Sequence, residues 1–248
     1  MEWTDTGIVL NLGTFREADI WLKVLFKEHG VQTVFAFGGQ RSRRRFVGCL
    51  DRVNEIECLV KTSRNGLYLE LCETVLVSGP GPLRSQRSRL GLCMNCLKLV
   101  ECASVTQESS CDSYMLVREL IRVLGQDAGS TMVLGLLFRL RFVALQGYSP
   151  VVDMCTGCGA ERHNDAFFSV EDGGVLCPSC LQQRGRVQGV SLSGPSLNIL
   201  SMALRTFPAA WTQFSFSPKE QRNVAFCVDG MLRYHAGLTW DRGRFCRI

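Results

Sequence analysis

Two groups of side chains in this sequence have types and spacings that could do chemistry. The first is Cys155-Thr156-Gly157-Cys158-Gly159 and Cys177-Pro178-Ser179-Cys180, with eighteen residues between Cys158 and Cys177. Two Cys-x-x-Cys pairs at that separation have the spacing of a four-thiolate metal site. Each pair sets two sulfurs on one tight turn, which the glycines permit. Phe167-Phe168-Ser169 and Val175-Leu176, around Asp172-Gly173-Gly174, predict a hairpin that brings the pairs together. Four sulfurs complete a tetrahedron, so the expected occupant is one structural Zn2+ held by Cys155, Cys158, Cys177 and Cys180, with no position open for a reacting water. The second group is Gly38-Gly39-Gln40-Arg41-Ser42-Arg43-Arg44-Arg45-Phe46. Two glycines let the chain bend, and four guanidiniums follow within five residues. Arginine offers a planar fork to phosphate oxygens, and releasing counterions from neutralised phosphates drives binding regardless of base sequence. Arg41, Arg43, Arg44 and Arg45, with Arg52 nearby, are the expected phosphate contacts. Bases could stack on Phe35, Phe37, Phe46 or Tyr68 where these face outward, although a small barrel also needs rings of that size inside.

Catalytic patterns are missing. The sequence contains no GxSxG, Walker A, HExxH or GxGxxG, and no paired carboxylate motif of the kind that nucleases use for magnesium. His29, His163 and His235 lie far apart and stand in no catalytic motif, and Cys93-Met94-Asn95-Cys96 is a lone pair in a helical stretch, where core packing is the expected role. The chain is therefore expected not to be an enzyme. Thirteen cysteines in 248 residues, an odd number with no export signal before them, argue for reduced thiols and a metal site over a secreted disulfide scaffold. The apolar run from Met132 to Phe138 is too short to span a bilayer, so no membrane is expected and a cytoplasmic location is. A net charge of +5 permits nucleic-acid binding without requiring it. Its distribution is more telling: five of the ten basic residues in the first 78 lie between Arg41 and Arg52.

The elements that must position these groups follow from period and punctuation. Runs at Gly7 to Leu12, Ile20 to Lys27, Val31 to Phe37, Phe46 to Lys61 and Leu67 to Val77 predict five strands, with Asn65-Gly66 marking a tight hairpin between the last two. Five short strands in about 75 residues predict a small closed barrel, either an OB-fold or an SH3-like barrel. After Gly79-Pro80-Gly81-Pro82 the pattern turns helical. Asp112 to Leu124 and Ser130 to Gln146 read as helices, the second dividing an apolar face from a basic one. Ser217-Pro218-Lys219-Glu220 carries a capping serine, a proline at the first helical position and a capping-box glutamate, which predicts a helix running to Tyr234.

These parts, in this order, resemble the bacterial RecO recombination mediators over essentially the whole chain. Thr6-Gly7-Ile8-Val9-Leu10 followed by Glu17-x-Asp19 resembles that family's opening strand and acidic turn, and Gly39 to Phe46 its basic loop. Leu145-x-Gly147-Tyr148-x-Pro150 leading into Cys155-x-x-Cys158-Gly159 resembles the helix end and zinc knuckle. The resemblance implies an α+β protein. An N-terminal five-stranded OB-fold β-barrel (1–78) precedes an α-helical domain (79–150 and 188–248) into which a four-cysteine zinc module (151–187) is inserted. It further implies a DNA repair and recombination mediator that binds single- and double-stranded DNA and anneals complementary strands. Such a protein works with RecR to load RecA onto strands coated by single-strand-binding protein and hydrolyses no nucleotide. It is expected to be a cytoplasmic, nucleoid-associated protein and a monomer when free. The acidic, Phe-ending tail of single-strand-binding protein is expected on the helical domain, with Arg139 and Arg141 supplying charge beside Phe138 or Phe142. The rival reading is an RNA-binding factor, because OB barrels and zinc knuckles serve RNA as readily.

Overall fold

Five strands close on themselves at the N-terminal end: β1 (Glu2–Thr14), β2 (Ile20–Phe26), β3 (Gly30–Ala36), β4 (Glu55–Thr62) and β5 (Leu69–Ser78), in the spatial order β1-β2-β3-β5-β4. A computed structural model of the chain describes residues 1–103, 105–162, 164–241 and 244–247; His163 lies outside them. The described chain forms two compact units, Met1–Gln126 and Asp127–Ile248.

In the first unit, β1 is long enough to pair antiparallel with both β2 and β4, from Gly7↔Phe26 to Thr14↔Ile20 on one side and from Glu2↔Lys61 to Ile8↔Glu55 on the other. A short parallel pairing of β3 with β5, at Val34↔Leu69 and Phe35↔Glu70, closes the barrel. Closure leaves a five-stranded sheet no long free edge. Alternating residues fill the interior: Val9, Leu22, Val24, Phe26, Val34, Ile56, Val60 and Leu71. The architecture is the OB-like one expected, with one local difference. The sequence pattern begins the fourth strand at Phe46, but residues 46–54 form turns, and the strand starts at Glu55. Phe46 and Cys49 point into the barrel and close it as a plug, while Asn54 Nδ2 donates to the carbonyl oxygens of Gly48 and Cys49 at 3.0 Å each. An apolar plug and a buried strand look alike in sequence.

Helices α1 (Arg87–Ala103) and α2 (Ser110–Gly125) belong to the same unit. Ser110 Oγ donates to the carbonyl of Lys27 at 2.8 Å, and the buried carboxylate of Glu55 takes up Tyr114 OH, Ser78 Oγ (2.8 Å) and Arg118 Nε (2.9 Å). A buried carboxylate is tolerated when its lone pairs are satisfied in this way. Burial, then the hydrogen bond to Glu55, pushes the Tyr114 phenol well above its ordinary range.

The second unit holds α3 (Thr131–Leu145), a four-stranded sheet of β6 (Val151–Cys155), β7 (Ala166–Ser169), β8 (Gly174–Leu176) and β9 (Gly189–Leu192), and the short helix α4 (Pro178–Arg184). It continues through α5 (Gly194–Ala203) and α6 (Pro218–Tyr234) to a hairpin of β10 (Leu238–Asp241) and β11 (Arg244–Arg247). The sheet order is β6-β8-β7-β9. The capping box that opens α6 is formed: Ser217 Oγ accepts from Glu220 N, and Glu220 Oε2 accepts from Ser217 N at 2.9 Å. Helix α3 differs from expectation. It buries nine of its residues, from Val133 to Val143, and so has no basic face turned to solvent. Both arginines meant to form that face are only partly exposed, and each has a partner within the unit.

Candidate metal centre and nucleic-acid interface

Cys155 ends β6, Cys158 follows it on a tight turn, Cys177 caps the N-terminus of α4 and Cys180 lies in that helix. The β7–β8 hairpin predicted between the two pairs is present, with Phe167↔Leu176 and Ser169↔Gly174 in register. It returns the second pair to the first. The four sulfurs come within 4.8 Å of one another, with Cys158 and Cys177 Sγ 3.8 Å apart. Backbone N–H groups converge on Cys155 Sγ, from Cys177 at 3.2 Å and Gly157 at 3.4 Å. Burial opposes ionisation of Cys155, but the N–H groups of Cys177, Cys158 and Gly157 outweigh it and lower the thiol to about 6. The neighbouring sulfurs of Cys177 and Cys158 push Cys180 the other way, up to about 12. Four sulfurs this close cannot all ionise beside one another, and a dication at their centre removes that conflict. The donor set can therefore hold one metal ion.

The arginine loop leaves β3 through Gly38, whose φ of 68° is a left-handed conformation that glycine adopts without penalty. The acidic turn after β1 anchors it: Asp19 Oδ1 accepts from Gly38 N at 2.7 Å, and Ala18 O accepts from Gln40 N at 3.0 Å. A carbonyl in the loop is held too, since Arg45 O accepts from Thr74 N at 3.0 Å. The backbone is thus fixed while the side chains stay out. Arg41, Arg43, Arg44 and Arg45 are all exposed. Arg45 donates to Phe37 O at 2.8 Å and lies over the Phe46 ring, and Arg41 approaches Glu17 at 3.9 Å. Among the described residues Arg43 and Arg44 make no hydrogen bond or ion pair. Arg52 differs, because its guanidinium donates to Asn11 Oδ1 at 2.6 Å.

Of the four aromatic residues expected as stacking platforms, Phe46 is inside the barrel at 3% exposure. Phe35, Phe37 and Tyr68 lie outside and meet a fourth ring, Phe15, that sequence reasoning missed. Phe15 packs edge-on against Phe35 (5.2 Å) and Phe37 (6.2 Å), and Tyr68 packs edge-on against the same two (5.9 and 5.7 Å). The four rings come from the β1–β2 turn, from the end of β3 and from the β4–β5 turn, the parts of an OB barrel that meet oligonucleotides. Arg16 sits 5.5 Å from the Phe15 ring centroid. The signal that could have found Phe15 is its place next to Arg16 in the turn that anchors the arginine loop.

Residues 1–77 match the family described as Recombination protein O N terminal, and residues 84–244 match the one described as Recombination protein O C terminal. The chain belongs to the RecO family. Relatives aligning over the full length of both chains include the DNA repair protein RecO of Lawsonia intracellularis, 37% identical over 251 residues. Those of Nitratidesulfovibrio vulgaris (strain DP4) and Solidesulfovibrio magneticus are each 38% identical, over 253 and 248 residues. RecO proteins are DNA repair and recombination proteins by these descriptions, and no catalytic activity is named for them. The arginine loop falls in the part matched to the RecO N-terminal region and the cysteine quartet in the part matched to the C-terminal region. No helix among the described residues is long and apolar enough to cross a membrane.

The remaining site residues lie on α3. Phe142 is 1% exposed and stacks on Phe138 at 6.0 Å, within the core. Arg139 pairs with Asp229 at 2.5 Å, and Arg141 donates to Leu204 O and lies over Phe207. Cys93 and Cys96 are buried in α1, and burial pushes the Cys93 thiol up to about 12.

Proposed function

We propose that this RecO-family protein holds single strands on its barrel and anneals complementary strands without chemistry of its own. In this reading, Arg41, Arg43, Arg44, Arg45 and, more weakly, Arg52 take phosphates while Phe15, Phe35, Phe37 and Tyr68 receive bases. The observation that carries it is the juxtaposition of exposed arginines, two of them without an intramolecular partner among the described residues, and a four-ring outer surface on one barrel. Like charges in a row repel unless an anion lies between them, and exposed rings are sequence-tolerant platforms for bases. The loop's charge offsets repulsion between two backbones, and base pairing supplies specificity. Duplex DNA would meet the same arginines through its backbone alone.

In the same reading the protein acts with RecR to load RecA onto strands coated by single-strand-binding protein, in the cytoplasm at the nucleoid, and is a monomer when free. The division into 1–78, 79–150, 151–187 and 188–248 remains our functional one. Cys155, Cys158, Cys177 and Cys180 would hold one Zn2+, whose role is to join β6 to α4 in a segment too small for its own core. For the acidic tail of single-strand-binding protein we retain Arg139 and Arg141 as candidate contacts. They would have to exchange Asp229 and Leu204 O for tail carboxylates, and Phe142 could serve only as a floor.

The test is nucleotide-free annealing of complementary oligonucleotides precoated with single-strand-binding protein from the same organism. We expect rapid annealing that RNA of the same sequence competes for poorly. Annealing no faster than the uncatalysed reaction, or stronger binding to RNA than to DNA, would contradict the reading.

A further inference from the structure

Helix α6 and the hairpin that follows it line a cavity of about 400 Å3 in the second unit, apart from the cysteine quartet. Its floor is apolar: Val170, Leu238 and Phe245, all buried. One wall is a single face of α6, because Asp229 and Gly230 lie three and four residues after Phe226, and Arg233 lies four and three residues after them. Gly230 is what lets this face come close, since a Cβ there would lie 2.8 Å from Val170 Cγ2. The opposite wall is the hairpin, where Trp240 pairs in register with Phe245 and their rings meet edge to face with centroids 4.8 Å apart.

Two large rings stand at the mouth, Phe226 at 42% exposure and Trp240 at 44%. Aromatic side chains left in water beside an apolar cavity mark a surface made for a ligand. The polar groups around them are of three kinds. Arg233 and the side-chain amide of Gln188 make no hydrogen bond or ion pair among the described residues, so a cation and an amide are open to a ligand. Asp229 Oδ1 is held by Arg139 at 2.5 Å, which leaves the carboxylate fixed in place as an acceptor. A greasy ligand would use none of these three. An acidic side chain would set a second carboxylate beside that of Asp229, and a phenylalanine ring offers that carboxylate no donor. A flat heterocycle with donor groups on its edge and an anionic tether uses all of them: the faces against Trp240 and Phe226, the edge toward Asp229 and Gln188, the phosphate at Arg233.

We propose that this cavity seats an unpaired nucleobase of a DNA strand, making it a second strand-holding site, separate from the barrel. The proposal rests on the annealing reading. A single base-sized pocket with a phosphate contact would hold one strand in place, with a base turned out, at little sequence cost.

The experiment uses the full-length, metal-loaded protein and a fluorescently labelled single-stranded oligonucleotide as probe. Tryptophan quenching and affinity are read in the wild type and in the barrel variant R41A/R43A/R44A/R45A, each with Trp240→Ala, Trp240→Phe or Arg233→Ala. In the barrel variant we expect residual binding that still quenches tryptophan emission. Trp240→Ala should abolish the quench and weaken that residual binding about ten-fold, while Trp240→Phe keeps most of it. Arg233→Ala should lower the salt slope by about one. Unchanged quench and affinity in Trp240→Ala would overturn the proposal, as would displacement of the oligonucleotide by a Phe-containing peptide. If Trp240→Ala disturbs the hairpin, Arg233→Ala decides, and an unchanged slope counts against the site. Failure of the barrel reading looks different, because the four-arginine variant would then bind as tightly as the wild type whatever stands at position 240.

Discussion

The cysteine quartet and the arginine loop are both clusters of four like side chains, yet they are built in opposite ways. The cysteines point inward at one another, with N–H groups from their own knuckles aimed at a sulfur, and an ion at the centre would complete them. The arginines stand exposed on a backbone that Asp19, Ala18 and Thr74 hold still, and in the proposed reading what would complete them lies outside the chain. Convergent ligands can stabilise a fold, and exposed charges on a fixed loop are open to a partner. The same comparison separates Arg43 and Arg44 from Arg52, whose guanidinium is already occupied by Asn11.

That contrast can be broken at either end. The largest effect is expected from Cys155→Ser or Cys180→Ala. Losing one of four ligands should drop bound metal from one ion to nearly none and forfeit much of the roughly 10 kcal/mol that such sites contribute to folding, visible as loss of cooperative melting in the second unit. A stable variant with selective loss of DNA binding would show that the quartet is not structural. Next come single substitutions in the loop. Arg43→Ala and Arg44→Ala should each lower the slope of log affinity against log salt by about one, and Arg52→Ala by less; equal slopes for all three would erase the distinction drawn between them.

Tyr68→Ala should cost about 1–3 kcal/mol in binding a single strand while leaving the salt slope and duplex binding nearly unchanged, because a ring takes bases and not phosphates. Comparable losses with duplex DNA would show that these rings do not receive bases. The smallest effect concerns α6. Hydrogen bonds, first from Ser193 and then from Ser217, lower Glu220 from 4.5 to about 2, so it favours the folded state at any pH above its unfolded value. That contribution fades as pH falls from about 4.5 toward 2, and Glu220→Gln should flatten acid unfolding in that window. A wild-type acid profile in the variant would mean the capping network is not felt in solution.

Local rules carried much of this fold into view. The five strands, the Asn65-Gly66 turn, the capping box and both cysteine pairs depend on neighbours a few residues away, so their residue types announce them. Gly66 sits at φ 72° where the turn needs it. Whatever depends on distant partners did not show. Residues 46–54 have the composition of a strand but plug a barrel, and only the closed barrel reveals which side of the sheet Phe46 occupies. Arg139 and Arg141 look like a basic face until Asp229 and Leu204 O, 90 and 63 residues away, are seen to take them. Helix α5 had a local sign, Ser193-Gly194-Pro195-Ser196, with Ser193 accepting from Ser196 N, but its run is too short for a clear period. The four-ring surface joins three separate segments, and only the fold brings them together.

Whether the barrel loop holds the strands is tested most directly by the salt dependence of single-strand binding by the wild type and by R41A/R43A/R44A/R45A. We expect a folded, metal-loaded variant whose slope is smaller by up to about four, one for each phosphate that an arginine no longer neutralises. An unchanged slope with unchanged affinity would contradict it and move the strand to another surface of the molecule.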